Sequence, residues 1–346
     1  MKRSARSHPV SRIPAARTVA AAAAAMTAAC LLSGAPTAAA ARAPVFAPAP
    51  ALAPAPCETS LPDSFWRAPV DKLPVHPNSA RYVASIGAAE PLHPDFGSGL
   101  ADGAPFGIPV TVPDAPVPES KVTFDVAEES DKSGYRIPQD AGIENGPDSS
   151  GDRHVIVWDR ALCKSYELWN AKPEGGNAWH AGSGAVFDLR SNTLRPDGWT
   201  SADAAGLAIL PGLARYEEAA SGRIDHAIRI TVPRSDQSYL WPARHQAGSA
   251  ADPSLPPMGL RLRLKSSVDT SKLAPQAKAV AEALKTYGAI VADNGSAWFL
   301  SGEQNSGWDN AQLDALKGLK GSDFEAVDAS ALQQSPDSGA ATAPGR

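Results

Sequence analysis

Residues 153–169, RHVIVWDRALCKSYELW, decide the fold class. Arg153 to Asp159 and Cys163 to Trp169 are two runs rich in β-branched and aromatic residues, the types that fit a pleated, half-buried surface. Asp159-Arg160-Ala161-Leu162 joins them as a tight connection, so the pair predicts an antiparallel hairpin. Outward from it, strand-like runs recur at Lys121–Val126, Gly184–Leu189, Ile224–Val232, Tyr239–Trp241, Gly259–Lys265, Ile290–Ala292 and Ala297–Leu300. In Gly259–Lys265 the leucines 260, 262 and 264 face one side, and Arg261, Arg263 and Lys265 the other. Asn294-Gly295 lies between the last two runs and reads as a hairpin turn, with Asp293 setting it.

Helical patterns are fewer. Ser79–Ile86 is a short one, and Ser201–Ala205 and Pro211–Ala220 offer two more. Pro275–Tyr287 is the clearest: Ala277, Val280, Ala281, Leu284 and Tyr287 share one stripe, with Lys278, Glu282 and Lys285 opposite. Asn310–Leu319 closes the set. The expected fold is mainly β, a jelly-roll-like β-sandwich with a few peripheral helices and an irregular N-terminal arm.

The ends differ in composition. Lys2, Arg3, Arg6, Arg12 and Arg17 precede an Ala-rich apolar stretch, Val19–Leu32, and small residues near Ala38–Ala41, the pattern of a secretory signal. The stretch is shorter than the roughly 20 strongly apolar residues of a membrane span. Cys30 offers a lipid-anchor site, but Thr27 fits it poorly and Leu31-Leu32 continue the apolar run, which favours free secretion. A Pro/Ala-rich linker follows over residues 41–60, and Pro at every second or third position keeps most of it extended. Residues 61–330 read as a single β-rich domain, and 331–346 as a disordered tail.

The whole chain has 32 basic and 37 acidic residues among 346. Losing the five basic residues of the signal leaves 27 against 37, about −10. With no basic run, nucleic-acid binding is excluded as the expected role. Two cysteines remain. Cys57 and Cys163 can form one disulfide in an oxidising compartment, or can be separate thiols with Cys163 buried as a small apolar residue. The mature chain carries no expected membrane span, and no cofactor or metal is assigned.

Residues 152–245 concentrate large and polar side chains. Tryptophan needs a large packing surface or a flat ligand. Trp179, Trp199 and Trp241 lie beside glycine or proline, or at strand ends, where they can stack on sugar rings; Trp158 and Trp298 lie in apolar runs and read as core. A glycoside hydrolase needs two carboxylates across a cleft. Glu167 and Asp188, on strand runs opposite apolar neighbours, are the candidate pair, each also readable as a solvated or salt-bridged residue. In Trp241-Pro-Ala-Arg-His245, Arg244 and His245 can bind a hydroxylated or anionic ligand, and a salt-bridged loop explains them equally well. His154, His226 and His245 could alternatively form a metal site, although none has tight ligand spacing.

Seven segments carry a resemblance: LPVHPNSARYVASIG (73–87), LHPDFGSG (92–99), GSGAVFDL (182–189), LRPDGWTSADAAGLAILPGLARYEE (194–218), YLWPARH (239–245), PPMGLRLRLK (256–265) and LKTYGAIVADNGSAWFLSG (284–302). Together they resemble a family of secreted bacterial proteins, some joined to immunoglobulin-like modules. The resemblance spans about residues 61–330. It implies an extracellular role and adds weight to a polysaccharide or cell-surface glycan as partner. It transfers no catalytic residue. The expected function is that of an exported carbohydrate-active protein, with a non-catalytic glycan-binding protein and a His-based metal-dependent enzyme as alternatives.

Overall fold

The computed structural model describes residues 56–101 and 103–342. The signal, Cys30 and most of the linker lie outside them. Among the described residues strands predominate, and no helix is long and apolar enough to cross a membrane.

The N-terminal arm contains helix α1 (Ser79–Ile86) and the short strands β1 (His93–Asp95), β2 (Leu100–Ala101), β3 (Ala104–Pro105) and β4 (Val110–Thr111). Helix α1 buries Tyr82, Val83 and Ile86 on one stripe and stops at Gly87, whose φ of 121° suits glycine. Next come β5 (Lys121–Phe124), β6 (Val155–Asp159), β7 (Lys164–Trp169), β8 (Lys172–Gly175), β9 (Ala178–Ala181) and β10 (Ser183–Asp188). After them are α2 (Tyr216–Ala220), β11 (Ile228–Val232), β12 (Arg261–Leu264), α3 (Pro275–Thr286), β13 (Ala289–Asn294), β14 (Phe299–Ser301) and α4 (Asn310–Asp314). The chain closes with β15 (Phe324–Val327), β16 (Gln333–Ser335) and β17 (Ser338–Ala341).

Strands β6 and β7 form the expected antiparallel hairpin, with Val157 opposite Tyr166. They sit in a four-stranded sheet, β10-β7-β6-β4. Alternation sends Val155, Val157, Tyr166 and Leu168 into a core shared with Trp179 and Ala181 of the three-stranded sheet β5-β9-β8. Ile156 and Trp158 point the other way, into a core with Ile209, Leu210 and Leu213. The Cys57–Cys163 disulfide is present and ties the arm to this sheet.

The largest sheet has the order β1-β14-β11-β13-β12-β15. Its β1·β14 and β11·β13 pairs are parallel, whereas β11·β14, β12·β13 and β12·β15 are antiparallel. Jelly rolls are built from antiparallel strands, so this sheet has a different topology. Helix α3 packs on it through Ala277, Val280, Ala281 and Leu284, and Pro275 at its first turn needs no N–H partner there.

Several local expectations change. Strand β14 pairs with β11 and not with β13, so Asn294-Gly295 is no hairpin turn. It instead carries the chain across the end of β11, where Gly295 N–H donates to Val232 O at 2.9 Å. Residues 201–205 form turns, and Tyr239–Trp241 makes only an isolated bridge through Tyr239. The arginine face of β12 is covered by the arm: Arg261 donates to Phe65 O at 2.8 Å, and Arg263 to Val70 O at 2.7 Å. The described part of the expected disordered tail carries regular structure. Strands β16 and β17 pair, and Arg244 and Trp241 donate to Pro336 O and Ser338 O, each at 2.8 Å.

Candidate functional site

Glu167 and Asp188 do not share a cleft. Asp188 is in register with Lys164, and Glu167 with Ala185. Lys164 and Glu167 are three residues apart on one strand, so Glu167 and Asp188 project from opposite faces of the sheet. Glu167 is fully buried. Its carboxylate accepts N–H groups of Ile209 (2.7 Å) and Leu210 (3.0 Å) and the Ser165 hydroxyl (2.7 Å). Burial pushes its pKa up, and those three donors oppose the push. It is a clamp on the 207–213 segment. Asp188 is exposed and accepts the Arg190 N–H at the strand end.

The expected sugar-stacking tryptophans are also dispersed. Trp179 is completely buried in the core between the smaller sheets. Trp241 packs edge-on to Phe65, 6.0 Å between ring centres, and its indole N–H holds the tail. Trp199 is half-buried, with the Arg195 guanidinium 5.5 Å from its ring centre. Arg244 is buried and spends its donors on Arg195 O, Pro336 O and Asp337.

The three histidines do not make a metal site. Both ring nitrogens of His226 face acceptors, Ala227 O at 2.8 Å and Glu218 at 3.0 Å. Both nitrogens of His154 do likewise, facing Glu144 at 2.6 Å and Ala202 O at 3.1 Å. With both ring nitrogens taken up by protein partners, neither imidazole presents a free nitrogen to a metal. Among the described residues no group of three His, Cys, Asp or Glu is placed to hold a metal ion.

A different set of groups converges. A polar hollow of about 220 Å³ opens at one end of the largest sheet, with Asp95, Glu144, Asp152, His154, Arg229 and Asp293 in its walls. A second, of about 370 Å³, is lined by Glu129, Trp169, Ser183, Asp203 and His245. The two adjoin at Asp152 and Asp293, which line both, and together are called the groove. Trp169 is 37% exposed beside it, and its indole N–H donates to Asp152 at 3.2 Å. Of the candidates read from sequence, His154 and His245 line this groove; Nδ1 of His245 lies 2.9 Å from Ala204 O.

Sheet geometry assembles the centre. Strand β11 supplies Arg229, which is buried and donates to Asp203 (2.7 Å) and to the Ser301 hydroxyl (2.7 Å). Ser301 is in register with Asp95 on β1. Along β11·β13 the register slips: Ile230 faces Val291, but Thr231 faces Asp293. The extra residue re-aims the end of β13, a known effect of such irregularities, and brings Asp293 to the hollow in place of Ala292. Asp293 then lies 3.7 Å from Arg229, beyond hydrogen-bond reach, while Asp203 keeps the short contact.

The electrostatics follow from that arrangement. Burial pushes the Asp293 carboxyl up, the neighbouring Asp203 adds like charge, and Arg229 and His154 pull back only partly; the result is about 6. Asp95 is raised to about 6 as well, by the low-dielectric wall and then by Glu144 and Asp152. Its outer edge is open to water, which leaves Asp293 the better shielded of the two. For His154, burial alone would lower the pKa, but the Glu144 charge and hydrogen bond outweigh it and raise it to about 9. Glu144 is correspondingly lowered despite its own burial. The groove thus holds a fixed ion pair, a fixed arginine and two carboxyls able to carry protons near neutrality.

A third hollow, about 300 Å³, lies between the arm and β10, with Asp188 in its wall. Its walls include the packing residues Phe65, Trp66, Leu207 and Pro211, and its Asp131 is already held by Arg195 at 2.7 Å. Shifted carboxyls with specific charge partners mark functional sites, so the polar groove is the candidate site.

Comparison with protein-family models, with curated proteins and with solved structures gives no match.

Proposed function

We propose that the groove is the active site of an exported glycoside hydrolase working by general acid/base catalysis. The observation that carries this reading is the pair Asp95 and Asp293, two carboxyls with raised pKa in one hollow, which adjoins a second hollow bordered by an exposed tryptophan. Protonated Asp293 donates its proton to the glycosidic oxygen as the bond from that oxygen to the sugar carbon breaks. A water attacks the same carbon and gives its proton to ionised Asp95. Asp203 and Arg229 act from beneath: Asp203 takes the guanidinium through Nε, and Asp293, 3.7 Å from Nη2, lacks the hydrogen bond that would keep it ionised. Trp169 offers a flat apolar face for a sugar ring next to the reacting pair.

The acidic mature composition, the signal-like leader and the resemblance to secreted bacterial proteins support an extracellular setting and a polysaccharide or cell-surface glycan as partner. We also read the four- and three-stranded sheets, which share one core, as a small sandwich that supplies the Trp169 wall.

The test is release of reducing ends from a polysaccharide panel by the mature chain and by Asp293→Asn. Turnover by the native chain with loss in the variant supports hydrolysis. Equal turnover by both excludes Asp293 as the acid. Binding without release by the native chain would make the groove a glycan-binding site only.

A further inference from the structure

Arg229 leaves one arm of its guanidinium unpaired. The side chain is 3% exposed, and its Nε and Nη1 donate to Asp203 and to the Ser301 hydroxyl, each at 2.7 Å. Nη2 has no hydrogen-bond partner among the described residues, and its contact with Asp293 Oδ2 is 3.7 Å. It is not one of the polar atoms buried without a partner, so it meets the open space of the hollow that Arg229 lines. Asp293 is matched to it. Its Oδ1 accepts the Asn294 N–H at 2.7 Å, which leaves Oδ2 for a ligand. Nη2 and Oδ2 are too far apart to bond each other, yet one oxygen can lie within about 2.9 Å of both. A guanidinium already fixed by its other arms needs no reordering to meet an acceptor, and its hydrogen bond is charge-assisted.

We propose that Arg229 is a ligand-contacting residue, and that its Nη2 and the Asp293 carboxyl share one oxygen of an uncharged glycan. The inference rests on the glycan reading of the groove and names what that groove recognises. In hydrolysis the shared oxygen is the one that leaves. The electron pair of the breaking carbon–oxygen bond moves onto it and the Asp293 proton joins it, while Arg229 donates a hydrogen bond and keeps all its protons. Asp203 already offsets the Arg229 charge, and Glu144 that of His154. Among the residues lining the hollow, no cation is then left to offset a uronate against Asp95 and Asp152. A protonated amino-sugar nitrogen has no lone pair for Nη2.

Titration calorimetry tests this in Asp293→Asn, whose amide keeps a donor beside Nη2 and whose lost acid preserves the oligomer. The probes are cellohexaose, xylohexaose, mannohexaose and, as the charged control, hexagalacturonate. At least one neutral oligomer should bind, and more tightly than hexagalacturonate. Adding Arg229→Lys should weaken that binding about thirtyfold, the scale of one hydrogen bond to a charged group, with circular dichroism unchanged. If that variant does not fold, Arg229→Met with Asp203→Asn removes both buried charges together and should give the same loss. The arginine's own protons separate contact from a merely structural role: the bound oligomer should slow exchange of the Arg229 guanidinium N–H groups with water, read by NMR. Equal affinity with and without Arg229, unchanged exchange, or tighter binding of hexagalacturonate overturns the inference. No binding of any probe overturns both it and the glycan reading. Arg229-dependent binding with no release of reducing ends by the native chain supports it while removing hydrolysis. Release that does not depend on Arg229 does the reverse.

Discussion

Two regions of this molecule bury a carboxylate, and they treat it in opposite ways. Behind β7, Glu167 has no accessible surface, no cation beside it and three short donors on its two oxygens. At the end of β13, Asp293 keeps a side-chain exposure of 23%, faces a like charge in Asp203, and stands just outside the reach of Arg229. The first arrangement uses up the carboxylate to fix backbone. The second leaves it space and an unsettled proton. Burial of an acid therefore does not by itself mark chemistry; the separating features are an adjoining hollow and incomplete pairing.

The largest expected effect that sharpens this contrast is on activity. Asp293→Asn should lower turnover by about 10³-fold, the scale of a lost general acid, with thermal stability kept or raised, because a like charge beside Asp203 disappears. Loss of both turnover and folding would place Asp293 with Glu167 as a structural acid. The pH profile of the native chain should be bell-shaped and centred near 6. Asp95 must be ionised, so the acid limb falls below about 6, and Asp293 must be protonated, so the alkaline limb falls above about 6.

Glu167→Ala should do the opposite. It strands the N–H groups of Ile209 and Leu210 in the core, at about 3 kcal/mol of unfolding free energy. Urea denaturation measures the loss, and the pH optimum of the folded fraction should not move. A changed optimum would show that the two regions are coupled. Replacing Cys57 and Cys163 by alanine frees the arm from the same sheet. The loss should cost about 3 kcal/mol, the usual scale for a disulfide, again without moving the optimum.

The smallest expected effect comes from His154. Its folded pKa lies above the ordinary value of 6.5, so its ion pair with Glu144 stabilises fully below that value. The stabilisation, on the order of 2 kcal/mol, fades as pH rises through about 9. His154→Gln should flatten this alkaline decline in thermal melts; an unchanged decline would mean that the pair contributes nothing.

The sequence makes one of these regions far more legible than the other. The β6–β7 hairpin is visible because period-two alternation and strand propensity coincide over Val155–Asp159 and Lys164–Trp169. Helices α1 and α3 are visible because their apolar residues recur at helical spacing. The groove is assembled from five distant places: Asp95, the 144–154 segment, Asp203, Arg229 and Asp293. Nothing local links them. Asp293 in particular looks like a turn setter because Asn-Gly follows it, and only the placement of β14 beyond β11 removes that role. The β11·β13 register slip that aims Asp293 has no signature in the residues themselves. The β16–β17 tail misleads in the same way. Its small polar composition suggests disorder, and the tethers from Arg244 and Trp241 come from almost a hundred residues upstream.

Everything functional here depends on the Asp293 carboxyl holding a proton near neutral pH. Carbon-detected NMR titration of the aspartate side-chain carboxyls, with Asp293 assigned by its absence in Asp293→Asn, reads this directly and needs no substrate. A midpoint near 6 is predicted. A midpoint at or below the ordinary aspartate value of 3.8 would show that Arg229 holds Asp293 ionised, and would contradict its role as the acid.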